Sequence, residues 1–179
     1  MTELAEKKIG ATIVIARKTG LAGTIETGTA IDAKFNEKLI QSIFFPKAPL
    51  HDGAVILSGD RILAAGCLLP ITASAKLDPP FGTRHRSGLA ITMDTDCVVL
   101  LVSEERGKIS LAENGKLITN LDRVELANEL NVKDVLDKAI IHESETLKTN
   151  EDTNLKVKIA LETKLTDELK DEGFVVNKK

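Results

Sequence analysis

Two almost wholly apolar runs, Ile9 to Ala16 and Cys97 to Val102, constrain what this chain can fold into more than any other feature. Both are short, and the first centres on the β-branched trio Ile13-Val14-Ile15. Such a run reads as a strand covered on both faces, so it belongs in the middle of a sheet. Covering both faces requires further layers, which makes the fold class α/β in the broad sense (α+β): a central mixed, largely antiparallel β-sheet with helices packed on both faces. The 179 residues, 42% of them apolar, supply one such domain with a real core and not two.

Around these runs the remaining elements fall into order. Gly20, Gly23 and Gly28 break the first strand's pattern, and Asp32 offers an N-cap for a helix whose Phe35, Leu39 and Ile43 recur every four residues until Pro46 stops it. Residues 54–57 and 62–69 form two strands joined through Ser58-Gly59-Asp60-Arg61, a hairpin signal. Residues 70–81, with Asp78-Pro79-Pro80, make a loop, and Thr83 is placed to cap a helix over residues 84–93. A strand over 109–112, the Asn114-Gly115 turn and Lys116-Leu117-Ile118 make the clearest hairpin. Asp122 with Glu125 forms a capping-box start, and Asn131 opens a helix striped by Val132, Val135, Leu136, Ala139 and Ile140. Beyond His142 the chain turns polar, then alternates as a half-buried strand at Leu155, Val157, Ile159 and Leu161 before a charged end, Thr166 to Lys179.

Composition excludes several classes. A net charge of −3 gives no overall basic field for a duplex nucleic-acid binder, and the lack of Trp and Tyr, with five Phe, removes the stacking platforms of a single-strand binder. Cys67 and Cys97 sit in apolar runs, where a free thiol behaves as a small core residue, so a reducing, cytoplasmic setting is expected. No run of about 18 apolar residues occurs, and the charged start, Met1 to Lys8, is not a signal peptide; any membrane tie is expected through a segment outside this sequence.

The chemistry concentrates between Lys47 and Ser87. Leu50-His51-Asp52-Gly53-Ala54 sets an imidazole and a carboxylate beside a glycine, at the start of a buried strand that can hold them rigidly. Gly82-Thr83-Arg84-His85-Arg86-Ser87 sets two guanidiniums around an imidazole at a helix start. Alone, Arg-His-Arg is commonly a solvated helix face. Cations in a first turn oppose the helix dipole, however, and a helix N-terminus attracts anions, so the block makes sense as a grip on a polyphosphate.

Pro49-Leu50-His51-Asp52-Gly53-Ala54-Val55-Ile56, Gly82-Thr83-Arg84-His85-Arg86 and Val102-Ser103-Glu104-Glu105, with Ile15 to Leu21 and Leu69-Pro70, together resemble the catalytic domain of the diadenylate cyclases. The similarity is to the membrane-anchored CdaA type and the N-terminal domain of DisA-like scanning proteins, and it covers roughly residues 8–120. Two ordered motifs at the right separation carry it. The resemblance implies condensation of two ATP into cyclic di-AMP and two pyrophosphates, with Mg²⁺ or Mn²⁺, at a face-to-face homodimer or higher oligomer. It implies catalytic roles for Asp52, Arg84, His85 and Arg86, and substrate binding by Gly53, Leu68, Leu69, Gly82, Thr83, Ser103 and Glu104. His51, Asp52 and Glu105 are the metal-ligand candidates. Leu68 departs from the CdaA type, which often carries an aromatic residue near the adenine, so base packing falls to aliphatic contacts. Residues 1–142 are then the catalytic domain and 143–179 a polar linker and C-terminal extension. The competing readings are a catalytically silent nucleotide-binding module of the same fold, and a metal-dependent phosphoesterase, for which three histidines are few.

Overall fold

A computed structural model describes residues 1–71 and 81–130 of the chain. It contains seven strands, β1 Ala11–Ala16, β2 Thr29–Lys34, β3 Ala54–Ser58, β4 Arg61–Cys67, β5 Val98–Val102, β6 Ile109–Glu113 and β7 Lys116–Leu121. The helices are α1 Thr2–Glu6, α2 Ala22–Ile25, α3 Glu37–Ile43 and α4 Thr83–Asp94. Residues 123–130 are also helical. The strands form one sheet in the order β2-β4-β3-β1-β5-β6-β7, mixed as expected: β1 and β3 pair parallel, with Val14 opposite Ile56, and every other neighbouring pair is antiparallel.

The apolar runs take the central positions, where both faces of a strand must be apolar. Val14, Ile56, Val99, Leu101 and Ala112 point to one face and pack with Leu89, Ala90 and Ile91 of α4. The residues of opposite parity, Ile13, Val55, Leu100 and Leu111, are buried as well. Helices α1 and α3 contribute their own buried residues, Leu4, Ala5, Ile40 and Ile43, followed by Phe44.

Both hairpins form as read. Gly59 adopts φ +55° in the β3–β4 turn, and Asn114 and Gly115 adopt φ +49° and +68° between β6 and β7, the two positive values that a tight hairpin twisting with its strands requires. The capping box also forms. Asp122 Oδ1 accepts from the amides of Val124 and Glu125 at 2.8 Å, and Glu125 Oε2 accepts from the Asp122 amide at 2.9 Å.

Two local expectations are corrected. Asp32 caps no helix; it lies within β2 at φ +45°, where the register with β4 shifts between Ala30 and Ala33, and its carboxylate accepts from Arg61. The cap of α3 is Asn36, whose Oδ1 accepts from the amides of Lys38 and Leu39. Likewise Gly82, not Thr83, is the N-cap of α4, so Thr83 is the first helical residue and no side chain closes the helix start. The chain divides into units Met1–Leu126 and Ala127–Lys179, and the first contains the whole sheet. The helix read from Asn131, the strand at 155–161, the charged end and the 142/143 boundary lie outside the described residues.

Ile56 is fully buried on the central strand pair, so Ile56→Ala should lower the unfolding free energy by about 2–5 kcal/mol. Val124, exposed on the surface, should tolerate alanine within about 0.5 kcal/mol. Urea denaturation of the two variants beside the parent checks the contrast.

Candidate active site

Topology gathers the motifs at one end of the sheet. Because β1 and β3 run parallel, the residues that precede each strand, Gly10 and Gly53, emerge at the same end. Strands β4 and β5 run the other way, with Cys67 opposite Ala54 and Val102 opposite Ala11. The residues that follow them, Leu68 and Leu69 on one side and Ser103 to Glu105 on the other, therefore arrive where β1 and β3 begin.

A cleft of about 840 Å³ opens there. His51, Asp52 and Gly53 form one wall, Leu68 and Leu69 another, and Thr83, Arg84 and Ser87 of α4 with Glu104 a third. Gly53 stands at φ +121°, and a Cβ on it would come within 2.6 Å of the Gly66 carbonyl carbon. Only glycine allows that backbone contact, which seats the His51-Asp52 turn on β4. The ring of His51 is fixed from behind: Nδ1–H donates to the Ala48 carbonyl at 2.6 Å, which leaves the Nε2 lone pair as the ligating position.

Arg84 projects from the first turn of α4 and pairs with Glu104, the Nη1–H donating to Oε2. With no side-chain cap at Gly82, the helix start adds its own partial positive charge nearby.

The three residues of the Arg-His-Arg block part company. His85 is 7% exposed and lines a second cavity of about 260 Å³ together with Gly82, Ser103, Glu105, Arg106 and Lys108. Its Nε2 lies 3.4 Å from Ser110 Oγ, and its ring sits 5.2 Å from that of Phe81. Burial, and then the charges of Arg106 and Arg84, push its pKa below the ordinary imidazole value. Arg86 is exposed and lines neither cavity. Thr83, Arg84 and Glu104 border both cavities.

For a divalent cation, His51 and Asp52 share the large cleft while Glu105 borders the small one. Among the described residues no group of three His, Cys, Asp or Glu side chains is gathered to hold a metal. The cleft also includes Lys8, Gly10 and Thr12, which sequence reasoning did not single out. They surround the start of β1, and only their place beside Arg84, which the sheet creates, marks them.

Fold and site together define a class: an α+β domain with a polar cleft, lined by Lys8 and Arg84, at one end of a mixed seven-stranded sheet. The chain belongs to the family described as DisA bacterial checkpoint controller nucleotide-binding, whose model matches residues 1–117. It is 45% identical over 123 residues to a diadenylate cyclase of Listeria monocytogenes, covering 69% of this chain and 45% of that one. To the cyclic di-AMP synthase CdaA of Bacillus subtilis it is 45% identical over 114 residues, covering 64% and 42%. The structure of a double cysteine variant of DacA from Staphylococcus aureus superposes with a TM-score of 0.70 at 40% identity, covering 74% of this chain and 87% of that one. The chain thus spans about half the length of the curated relatives it matches. The resemblance read from the sequence motifs is borne out. Among the described residues no helix is long and apolar enough to cross a membrane.

The state of His85 sets a pH dependence. Its folded-state pKa lies below the ordinary 6.5, so the unfolded chain takes up the proton first. Stability is whole above about pH 6.5 and declines as pH falls through that value, until the buried imidazole itself titrates. Urea unfolding between pH 7.5 and 5 should show this slope, and His85→Gln should flatten it.

Proposed function

We propose that this chain is the catalytic domain of a diadenylate cyclase, condensing two ATP into cyclic di-AMP and two pyrophosphates with a divalent cation at a face-to-face pair of protomers. One observation carries the reading: Asp52 and Arg84, from separate elements 32 residues apart in sequence, converge on a single cleft large enough for a nucleotide. The names of the relatives, diadenylate cyclase and cyclic di-AMP synthase, support the reaction. Residues 1–142 form the catalytic domain and 143–179 a polar linker and extension, and the chain works in the cytoplasm with its ATP.

In each half-reaction the ribose 3′-oxygen of one ATP attacks the α-phosphorus of the other, and the bond to the β-phosphate breaks, releasing pyrophosphate. Such in-line displacement is governed by positioning and charge. Asp52 accepts the hydrogen of the 3′-hydroxyl and orients the oxygen. Arg84, Thr83 and the open start of α4 hold the phosphates and neutralise charge as pyrophosphate leaves, with Gly82 and Ser103 beyond them. Leu68 and Leu69 offer an aliphatic surface to the base. His85, buried beside Ser110 and Phe81, and Arg86, exposed, complete the block assigned to catalysis.

Asp52 would supply the carboxylate oxygen that either Mg²⁺ or Mn²⁺ takes, and the His51 imidazole beside it would suit Mn²⁺. When bound, the cation supplies positive charge at the phosphates and acidifies the hydroxyl. Glu105 is the third candidate ligand, from the neighbouring cavity.

Incubation with ATP and Mn²⁺ followed by mass analysis tests the reading: cyclic di-AMP supports it, while hydrolysed nucleotide or unchanged ATP overturns it in favour of a phosphoesterase or a silent nucleotide-binding module. Asp52→Asn, which keeps shape and removes charge, should abolish most of the product while leaving affinity for a non-reactive ATP analogue near the parental value.

Closing the ring needs two symmetric bonds and each chain carries one copy of each motif, so two protomers must meet. Specific activity should therefore rise from nanomolar to micromolar enzyme. A flat profile, measured by cyclic di-AMP released per mole of chain, together with a purely monomeric species in the presence of a non-reactive ATP analogue, would refute the paired mechanism.

A further inference from the structure

Gly10 borders the cleft immediately before β1 and lies against the Arg84–Glu104 ion pair on its wall. A Cβ built on Gly10 would lie 2.6 Å from Arg84 Nη1, 2.8 Å from Arg84 Cζ and 2.7 Å from Glu104 Oε2. All three are closer than a real Cβ tolerates, and all belong to the far ends of side chains. That separates Gly10 from the three other glycines crowded below 3.0 Å, of which Gly28 meets the Ala65 carbonyl oxygen at 2.7 Å as well as Cys67 Sγ. On Gly53 the nearest atoms are the Gly66 backbone, and on Gly107 the Ala5 carbonyl oxygen, so a side chain at either would strain the fold itself. Gly10, moreover, does not occupy the left-handed region that Gly53 and Gly107 do. Its backbone accepts alanine; what must move is the guanidinium and its carboxylate.

We infer that Gly10 is a positioning residue for nucleotide binding: by lacking a side chain it makes the space in which Arg84 and Glu104 pair, and so sets where the Arg84 charge stands in the cleft. The inference rests on the reading of the cleft as a nucleotide site. The physical chain is short. The Arg84 side chain is only 32% exposed, and Glu104 fixes its Nη1 end, which leaves the remaining donors of the planar fork aimed by that one contact. A methyl group on Gly10 would stand 2.6 Å from Nη1 and 2.7 Å from Glu104 Oε2, so the pair must shift, and the alignment of the guanidinium on a phosphate shifts with it.

Four proteins test it: the parent, Gly10→Ala, Arg84→Ala and the double variant, each titrated calorimetrically with a non-reactive ATP analogue and melted in its absence. Gly10→Ala should bind about tenfold or more weakly, the size of one charged hydrogen bond, with a melting temperature close to the parental one. In the Arg84→Ala background the same change should have no further effect on affinity, since both guanidinium atoms it displaces are gone and the remaining one, Glu104 Oε2, is the end of a carboxylate that no longer has a guanidinium to align. Unchanged affinity in Gly10→Ala, or an equal loss in both backgrounds, overturns the proposal. A parent that does not bind the analogue overturns the proposed function instead, and the crystal structure of Gly10→Ala then decides this inference alone. Arg84 displaced from Glu104 sustains it, and Arg84 still paired there overturns it.

Discussion

Strands β1 and β3 run parallel inside a sheet that is otherwise antiparallel, and the cleft depends on that pairing. Two parallel strands cannot be joined by a tight turn; here the connection from residue 17 to residue 53 takes in α2, β2 and α3 before the chain returns to the end at which β1 began. The return brings Gly53, and with it His51 and Asp52, alongside Gly10. Had β3 paired antiparallel with β1, the Asp52 turn would stand at the opposite end of the sheet from Arg84. The apolar bulk that enforces the pairing, Val14 against Ile56 with α4 packed over both, is thus also what holds the two motifs a cleft's width apart.

Charge in the cleft is arranged against local stability. An uncapped helix start followed by Arg84 and Arg86 places like charge on like, and the arginine nearest the cleft is offset by Glu104 rather than by any residue of its own helix. Burial, and then the charges of Arg106 and Arg84, disfavour the charged form of His85, so it does not add to the positive charge there. In the reaction proposed above, Arg84 would present a charge already held in place by Glu104, and preorganised charge of this kind acts without reorganising.

Much of this was legible in the chain. The two apolar runs announced the centre of the sheet, Gly59-Asp60 and Asn114-Gly115 announced the hairpins, and Asp122 with Glu125 announced a helix start, because each signal is local and backed by chemistry of its own. Strand β2 was not legible: Thr29–Lys34 is half exposed, carries a single large apolar residue, Ile31, and is a strand because β4 offers it partners. The Asp32 signal misled for the same reason, its carboxylate being taken by Arg61 from a neighbouring strand. At the site, the motifs were visible but not their directions. Consecutive residues on a helix point about 100° apart, so Arg84, His85 and Arg86 go to the cleft, the interior and the solvent in turn, while Ser87 returns to the cleft beside Arg84. Gly10, with no side chain to draw attention, becomes meaningful only against the ion pair that the fold brings to it.

The irregularity in β2 has a consequence for the molecule's behaviour in company. An outermost strand exposes unused amides and carbonyls and invites another chain to extend the sheet. Here the register slips between Ala30 and Ala33, Asp32 turns to φ +45°, and its carbonyl oxygen already accepts from Arg61 Nη2 at 2.6 Å. The β2 edge is thus irregular, and one of its carbonyls is already taken, which makes it a poorer template for an added strand than a regular edge.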